Sequence, residues 1–188
     1  GFTLRFEPPR KHIPIFIASL NKKSVEFTAR KADGWLPVMI PLNGLQGAIS
    51  EFRGVAKAAG RDPKSVAVKA PGIVHVTKNL DAARAGHAGT VAFYAARMGT
   101  FYSEQLTRFG FGAEVAKIKE AFVSGGAKAG TAAVPQKMLE QLGYQGDVAG
   151  ARERIAAQEE AGIDVHSVEI DAGSDVAAFE KTVQALAG

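Results

Sequence analysis

The stretch Ala18-Ser19-Leu20-Asn21-Lys22-Lys23-Ser24 follows a short apolar run, Ile13 to Ala18, and leads into a helical pattern. Backbone N–H groups at a helix N-terminus have no partner within the helix and point outward, so they favour an anion. Lys22 and Lys23 add positive charge at the same place. The alternative is an ordinary strand-to-helix loop with an Asn or Ser cap and two solvated lysines. The residues by themselves leave both readings open.

Other chemistry is thinner. The four histidines, His12, His75, His87 and His166, include no i, i+4 pair of the kind that holds a metal on a helix, so no metal site is expected. His75 lies between Val74 and Val76 on a strand pattern and points opposite to them; it lines a pocket or, the commoner case, is a satisfied structural histidine. His166 and Glu169 are three apart on one strand and face opposite sides, so they form no dyad. Phe93, Tyr94, Phe101, Tyr102, Phe109 and Phe111 could wall a pocket; packing within their own segment is the favoured reading, with Phe93, Tyr94, Phe101 and Phe109 expected to be largely buried. Arg97 and Arg108 in that segment suit an anionic ligand or surface ion pairs. No GxGxxG follows a strand and no GxSxG is present, so neither a Rossmann nucleotide site nor a serine elbow is supported. The absence of cysteine removes disulfides, thiolate metal sites and a cysteine nucleophile.

The elements that must position these residues alternate. Strand patterns at Ile13–Ala18, Gly34–Pro37, Ala67–Val76 and Ser167–Ile170 are separated by helical patterns at Ser24–Ala32, Leu45–Ala59 and Asp147–Ala161, and a terminal amphipathic helix carries Val176, Phe179, Val183 and Leu186. Pro71-Gly72 predicts a bend in the third strand. Residues 79–147 read as helical and are too long for one crossover, hence an insertion. The order is that of a parallel sheet with outer helices: half of a (β/α)8 barrel, or a small open sheet. One domain of 188 residues is the expected organisation.

The net charge of +4 is spread over scattered lysines and arginines, not the basic stripe with interleaved aromatics that nucleic acid requires. No apolar run approaches the ~18 residues of a membrane span, and Gly1 to Arg10 has no signal-peptide character, so a cytoplasmic location is expected.

Three stretches together resemble the bacterial-luciferase-like family, in its coenzyme-F420-dependent branch. They are IPIFIASLNKKSVEFTARKADGWLP (Ile13 to Pro37), the segment from Ala92 to Asp147, and the strand pair VAVKAPGIVHV and VHSVEID. The resemblance implies the C-terminal half of a (β/α)8 TIM barrel with a helical insertion before the last β/α unit. It places Ala18, Ser19, Leu20, Asn21, Lys22, Lys23 and Ser24 against the phosphate-bearing tail of the cofactor. Many relatives carry a Gly-Gly-Pro-like loop where this chain has Leu20, Asn21 and Lys22. The implied activity is hydride transfer between coenzyme F420 and a small organic substrate. FMN is the alternative cofactor, in a monooxygenase of the same fold. The catalytic residues, and a non-prolyl cis peptide behind the redox ring, would belong to the preceding half of the barrel. A homo-oligomer is expected; a cofactor-free half-barrel that self-associates is the reading from a different class.

Overall fold

The computed structural model describes residues 7, 9–173 and 175–187. Its sheet has five strands, all parallel: β1 (Phe16–Ala18), β2 (Gly34–Leu36), β3 (Ala67–Val76), β4 (Tyr144–Gly146) and β5 (Val165–Ile170). Between and after them run α1 (Lys22–Lys31), α2 (Leu42–Ala58), α3 (Leu80–Arg97), α4 (Phe101–Leu106), α5 (Gly112–Ala132), α6 (Gln136–Leu142), α7 (Val148–Glu160) and α8 (Val176–Ala187).

β3 is the central strand. Val74, His75 and Val76 are paired with both β4 and β5, which therefore lie on opposite edges of it. The register shifts between Lys69 and Ile73, across Pro71-Gly72, because proline withholds a ladder N–H. Among the described residues β1 pairs only with β2 and β5 only with β3, so the sheet stays open.

Local chemistry moves several boundaries. β1 begins at Phe16 and not at Ile13: Pro14 has no N–H, and the Ile15 N–H is taken by Asp33 Oδ2 at 2.8 Å. β2 ends at Leu36, before Pro37, and Met39 turns the chain with φ 54°. α1 starts at Lys22, two residues earlier than expected, because Asn21 is its cap and accepts Ser24 N–H at 2.9 Å. Asp147 caps α7 by accepting Gly150 N–H at 2.9 Å.

Residues 79–147 are not wholly helical. They hold α3 to α6 and then β4, a three-residue strand in which Tyr144 alone favours β structure and which exists through its pairing with β3. Two cores follow from this layout. Trp35, Leu45, Ile49, Phe52, Val66 and Val68 fill the space between the sheet and α2, with Trp35 stacked on Phe52 at 4.6 Å. Val91, Leu106, Val115, Ile118 and Met138 form a separate core inside the inserted helices. Phe93 and Phe101 stay outside it, 47% and 58% exposed, against the expectation of burial. Tyr94 and Phe109 are half-buried.

Candidate functional site

The inserted helices lie over the C-terminal ends of the strands. Gln105 on α4 donates its side-chain amide to the carbonyl of Val38, just beyond β2. Gln141 on α6 accepts Asn43 N–H at 3.0 Å, at the start of α2. Phe109 lies against Gly44 of α2, where a Cβ would run into its ring. Phe109 belongs to a π-turn at Thr107–Phe111, which closes through Gly110 at φ 93°, a conformation that other residues rarely adopt.

This roof and the loop after β1 enclose a cleft of about 600 Å³. Leu20, Asn21 and Lys22 line one side; Phe101, Ser103, Glu104, Thr107, Arg108 and Lys119 line the other. Three cations from three elements, Lys22, Arg108 and Lys119, thus face one carboxylate, Glu104. None of the three is in an ion pair among the described residues. Lys119 donates to Ser103 Oγ at 2.9 Å, and Arg108 leans on Gln105 Oε1 at 3.4 Å. At the start of α1, Asn21 occupies the N–H of Ser24, which leaves those of Lys22 and Lys23 without a helical partner.

Of the seven loop residues singled out in the sequence, Leu20, Asn21 and Lys22 reach the cleft. Ser19 is buried; its hydroxyl shares a 2.9 Å hydrogen bond with Thr28 Oγ1 and its carbonyl accepts Trp35 Nε1–H at 3.0 Å. Ser19 is therefore part of the frame, with its side chain turned away from any ligand. Ala18, Lys23 and Ser24 do not line the cleft. The Ala-Asp-Gly-Trp stretch now has a physical role: Asp33 fixes the start of β1 and Trp35 fixes the loop at its end.

A second cavity, of about 490 Å³, opens between α3 and the face of the strands opposite to α2. Ile73, His75 and Glu169 line its strand side; Gly86, His87 and Tyr94 line its helix side. Burial lowers the pKa of His87, and the hydrogen bond between its Nδ1 and Gln145, 2.9 Å long, opposes that shift. Asp171, at the end of β5, has its carboxyl held below the usual carboxylate range by the Thr77 hydroxyl and then by His75. The side chain of His75 is 15% exposed, with Nε2 3.1 Å from Asp171 Oδ1 and Nδ1 4.0 Å from Glu169 Oε2.

Sequence reasoning took His75 alone and compared Glu169 only with His166. The structure keeps those last two apart, His166 bonding Gln158 of α7 at 2.9 Å, and pairs His75 with Glu169 in register across β3 and β5. The available signal was Glu-Ile-Asp at 169–171, since residues two apart on a strand share a face.

The family model for luciferase-like monooxygenases matches residues 1–165. A protein of Mycobacterium tuberculosis, provisionally named a coenzyme F420-dependent oxidoreductase, is 28% identical over 163 residues, 83% of this chain and 47% of that protein. The coenzyme F420-dependent tetrahydromethanopterin reductase of Methanopyrus kandleri superposes with a TM-score of 0.69 at 22% identity, over 93% of this chain and 49% of the reductase. A riboflavin lyase solved with modified FMN superposes with a TM-score of 0.58 at 15% identity, over 92% of this chain and 42% of the lyase. The chain thus spans about half the length of these proteins. The open parallel sheet is a partial barrel of their kind. No helix among the described residues is long and apolar enough to cross a membrane.

Proposed function

The chain belongs to the luciferase-like monooxygenase family, and on that premise we propose that it forms the cofactor-tail-binding part of a coenzyme-F420-dependent oxidoreductase acting on a small organic substrate. The observation that carries this reading is the cleft lined by Lys22, at the N-terminus of α1, together with Arg108 and Lys119. A phosphate there meets the unpartnered backbone N–H of Lys22, the positive end of a helix dipole and three side-chain cations. The residues present fit a phosphate-bearing cofactor. Coenzyme F420, when bound, supplies hydride chemistry at a ring carbon.

This chain's residues anchor and shield. Leu20 and Phe101 give the cleft apolar walls beside its cations. Ile73, Met39 and Tyr94 wall the neighbouring cavity, which is large enough for a small organic molecule. The residues that face the reacting atoms belong, on this reading, to the other half of the barrel. FMN is the second reading, favoured by the FMN-containing neighbour; its phosphate would use the same cations. Assembly into a homo-oligomer and a cytoplasmic location belong to the same proposal.

The test is a cofactor titration of the full-length protein followed by absorbance, which also separates a deazaflavin from a flavin. A charge-assisted hydrogen bond contributes ~1.5–3 kcal/mol, less for a flexible exposed lysine. The double variant Lys22→Ala/Arg108→Ala should therefore bind about tenfold more weakly or worse, at ~1.4 kcal/mol per tenfold. Binding equal to wild type would make the cleft a mere connection and leave the cofactor-free, self-associating half-barrel, which size-exclusion chromatography would reveal.

A further inference from the structure

The cavity between α3 and the strands holds a histidine that is fixed at one ring nitrogen and free at the other. Ala83, His87, Thr90 and Tyr94 recur at the helical period along one face of α3, and that face lines the cavity. Thr90 donates its hydroxyl to the Gly86 carbonyl at 3.1 Å. His87 Nδ1 lies 2.9 Å from the amide nitrogen of Gln145, on β4. Its Nε2 has no hydrogen-bond partner among the described residues and is not sealed from solvent. We infer that His87, held by Gln145, anchors an oxygen of an uncharged carbonyl or alcohol compound in this cavity, and that Glu169 turns anionic ligands away. The inference rests on the cavity being the place of the small organic substrate, and it names the anchoring residue and the ligand class.

The ring is held in position by its surroundings. Gly143 immediately precedes β4, and a Cβ on it would stand 2.7 Å from His87 Cε1 and 3.2 Å from the Ile73 carbonyl oxygen. The backbone of Gly143 is extended, with φ −169°, so the position demands space for the ring and not a special conformation. Gln145 comes to α3 because β4 pairs with β3, with Gln145 opposite His75. With Nδ1 turned to Gln145, Nε2 is the polar atom that the ring offers to a ligand.

Burial lowers the pKa of His87, so the ring is neutral near neutral pH. A neutral imidazole has one N–H and one lone pair, and a glutamine amide can present either its N–H or its carbonyl to Nδ1. With the amide nitrogen facing Nδ1, as here, Nε2 carries the proton and donates to a carbonyl oxygen. With the amide turned over, Nε2 accepts from a hydroxyl. Met39, Ile73 and Leu142 offer apolar wall to a carbon skeleton. Glu169 is the one carboxylate among the described lining residues, and no Lys or Arg is among them. An anion entering the cavity therefore meets a like charge and no cation, the reverse of the cleft beside α1.

The experiment uses the full-length protein without cofactor, so that it reads the cavity and not the cleft. The imidazole nitrogens are followed in proton–nitrogen correlation spectra during titration with cyclohexanone, cyclohexanol, cyclohexanecarboxylate and cyclohexylamine. We expect a saturable shift at His87 Nε2 with the ketone and with the alcohol, and a proton on Nε2 in the ketone complex. His87→Phe keeps a flat ring but loses one hydrogen bond, so both should bind about fivefold more weakly. His87→Gln should recover to within about twofold of wild type, since its amide also donates and accepts. The carboxylate and the amine should bind at least about tenfold more weakly than the ketone. Circular dichroism checks the fold of each variant, and the wild-type spectra decide by themselves if a variant misfolds. No saturable shift at His87, a ketone complex with Nε2 unprotonated, equal ketone binding in His87→Phe, or a carboxylate or amine that matches the ketone would overturn the inference. A protein that takes the cofactor but no ketone refutes this inference alone. One that binds ketone at His87 but takes no cofactor refutes the cofactor reading alone.

Discussion

Gly44→Ala is a sharp test of how the inserted helices are fixed over the cleft. Gly44 lies in the first turn of α2, and a Cβ there would meet the Phe109 ring at a distance no real contact shows. Alanine in a helix normally gains ~0.5–1 kcal/mol over glycine. Overpacking costs ~1–3 kcal/mol, because Phe109 must move and draw its π-turn with it. The expected net effect is a loss of about 1 kcal/mol. Gly47, one turn on in the same helix, has nothing within 4 Å of its Cβ position, so Gly47→Ala should show only the gain. At ~2–4 °C per kcal/mol for a chain of this size, the two variants should separate by about 4–8 °C in thermal denaturation, with wild type between them. Phe109 adjoins Arg108, which lines the cleft, so Gly44→Ala should also weaken cofactor binding while Gly47→Ala leaves it unchanged. If both alanines stabilise equally, Phe109 does not pack on α2 as described and the argument for a fixed roof fails.

Asp33 has its pKa lowered by the Ile15 N–H bond first and the His12 side chain next. Its contribution to stability is therefore present above the unfolded value and lost as pH falls through the lower folded value; an NMR titration of Asp33 should give a midpoint under 3.8. Asp33→Ala should flatten the acid limb of the stability profile, and an unchanged limb would contradict the link to Ile15. Asp147→Ala should cost about 1 kcal/mol through the lost cap on α7, read as a fall of ~2–4 °C in Tm, whereas an unchanged Tm would mean that the Gly150 N–H finds another acceptor.

Much of the fold was legible in the sequence because its signals are local. The β-branched runs of β3 and β5, the Asp147 cap and the apolar period of α2 are set by residues within a turn or two of one another. The side of the cleft lined by Leu20, Asn21 and Lys22 was legible for the same reason: a strand, a short loop with two lysines and a helix start are adjacent in the chain. The rest depended on partners far away. Tyr144–Gly146 is a strand only because β3 offers it an edge, and Phe101 is exposed because a cleft opens beside it. Arg108 and Lys119 enter that cleft through the packing of Phe109 on Gly44, 65 residues away by number. Sequence periodicity could place Glu169 and Asp171 on one face of β5, but not His75 beside them. That needed the parallel register of β3 against β5, set by hydrogen bonds between strands some 90 residues apart, for which the chain carries no local mark.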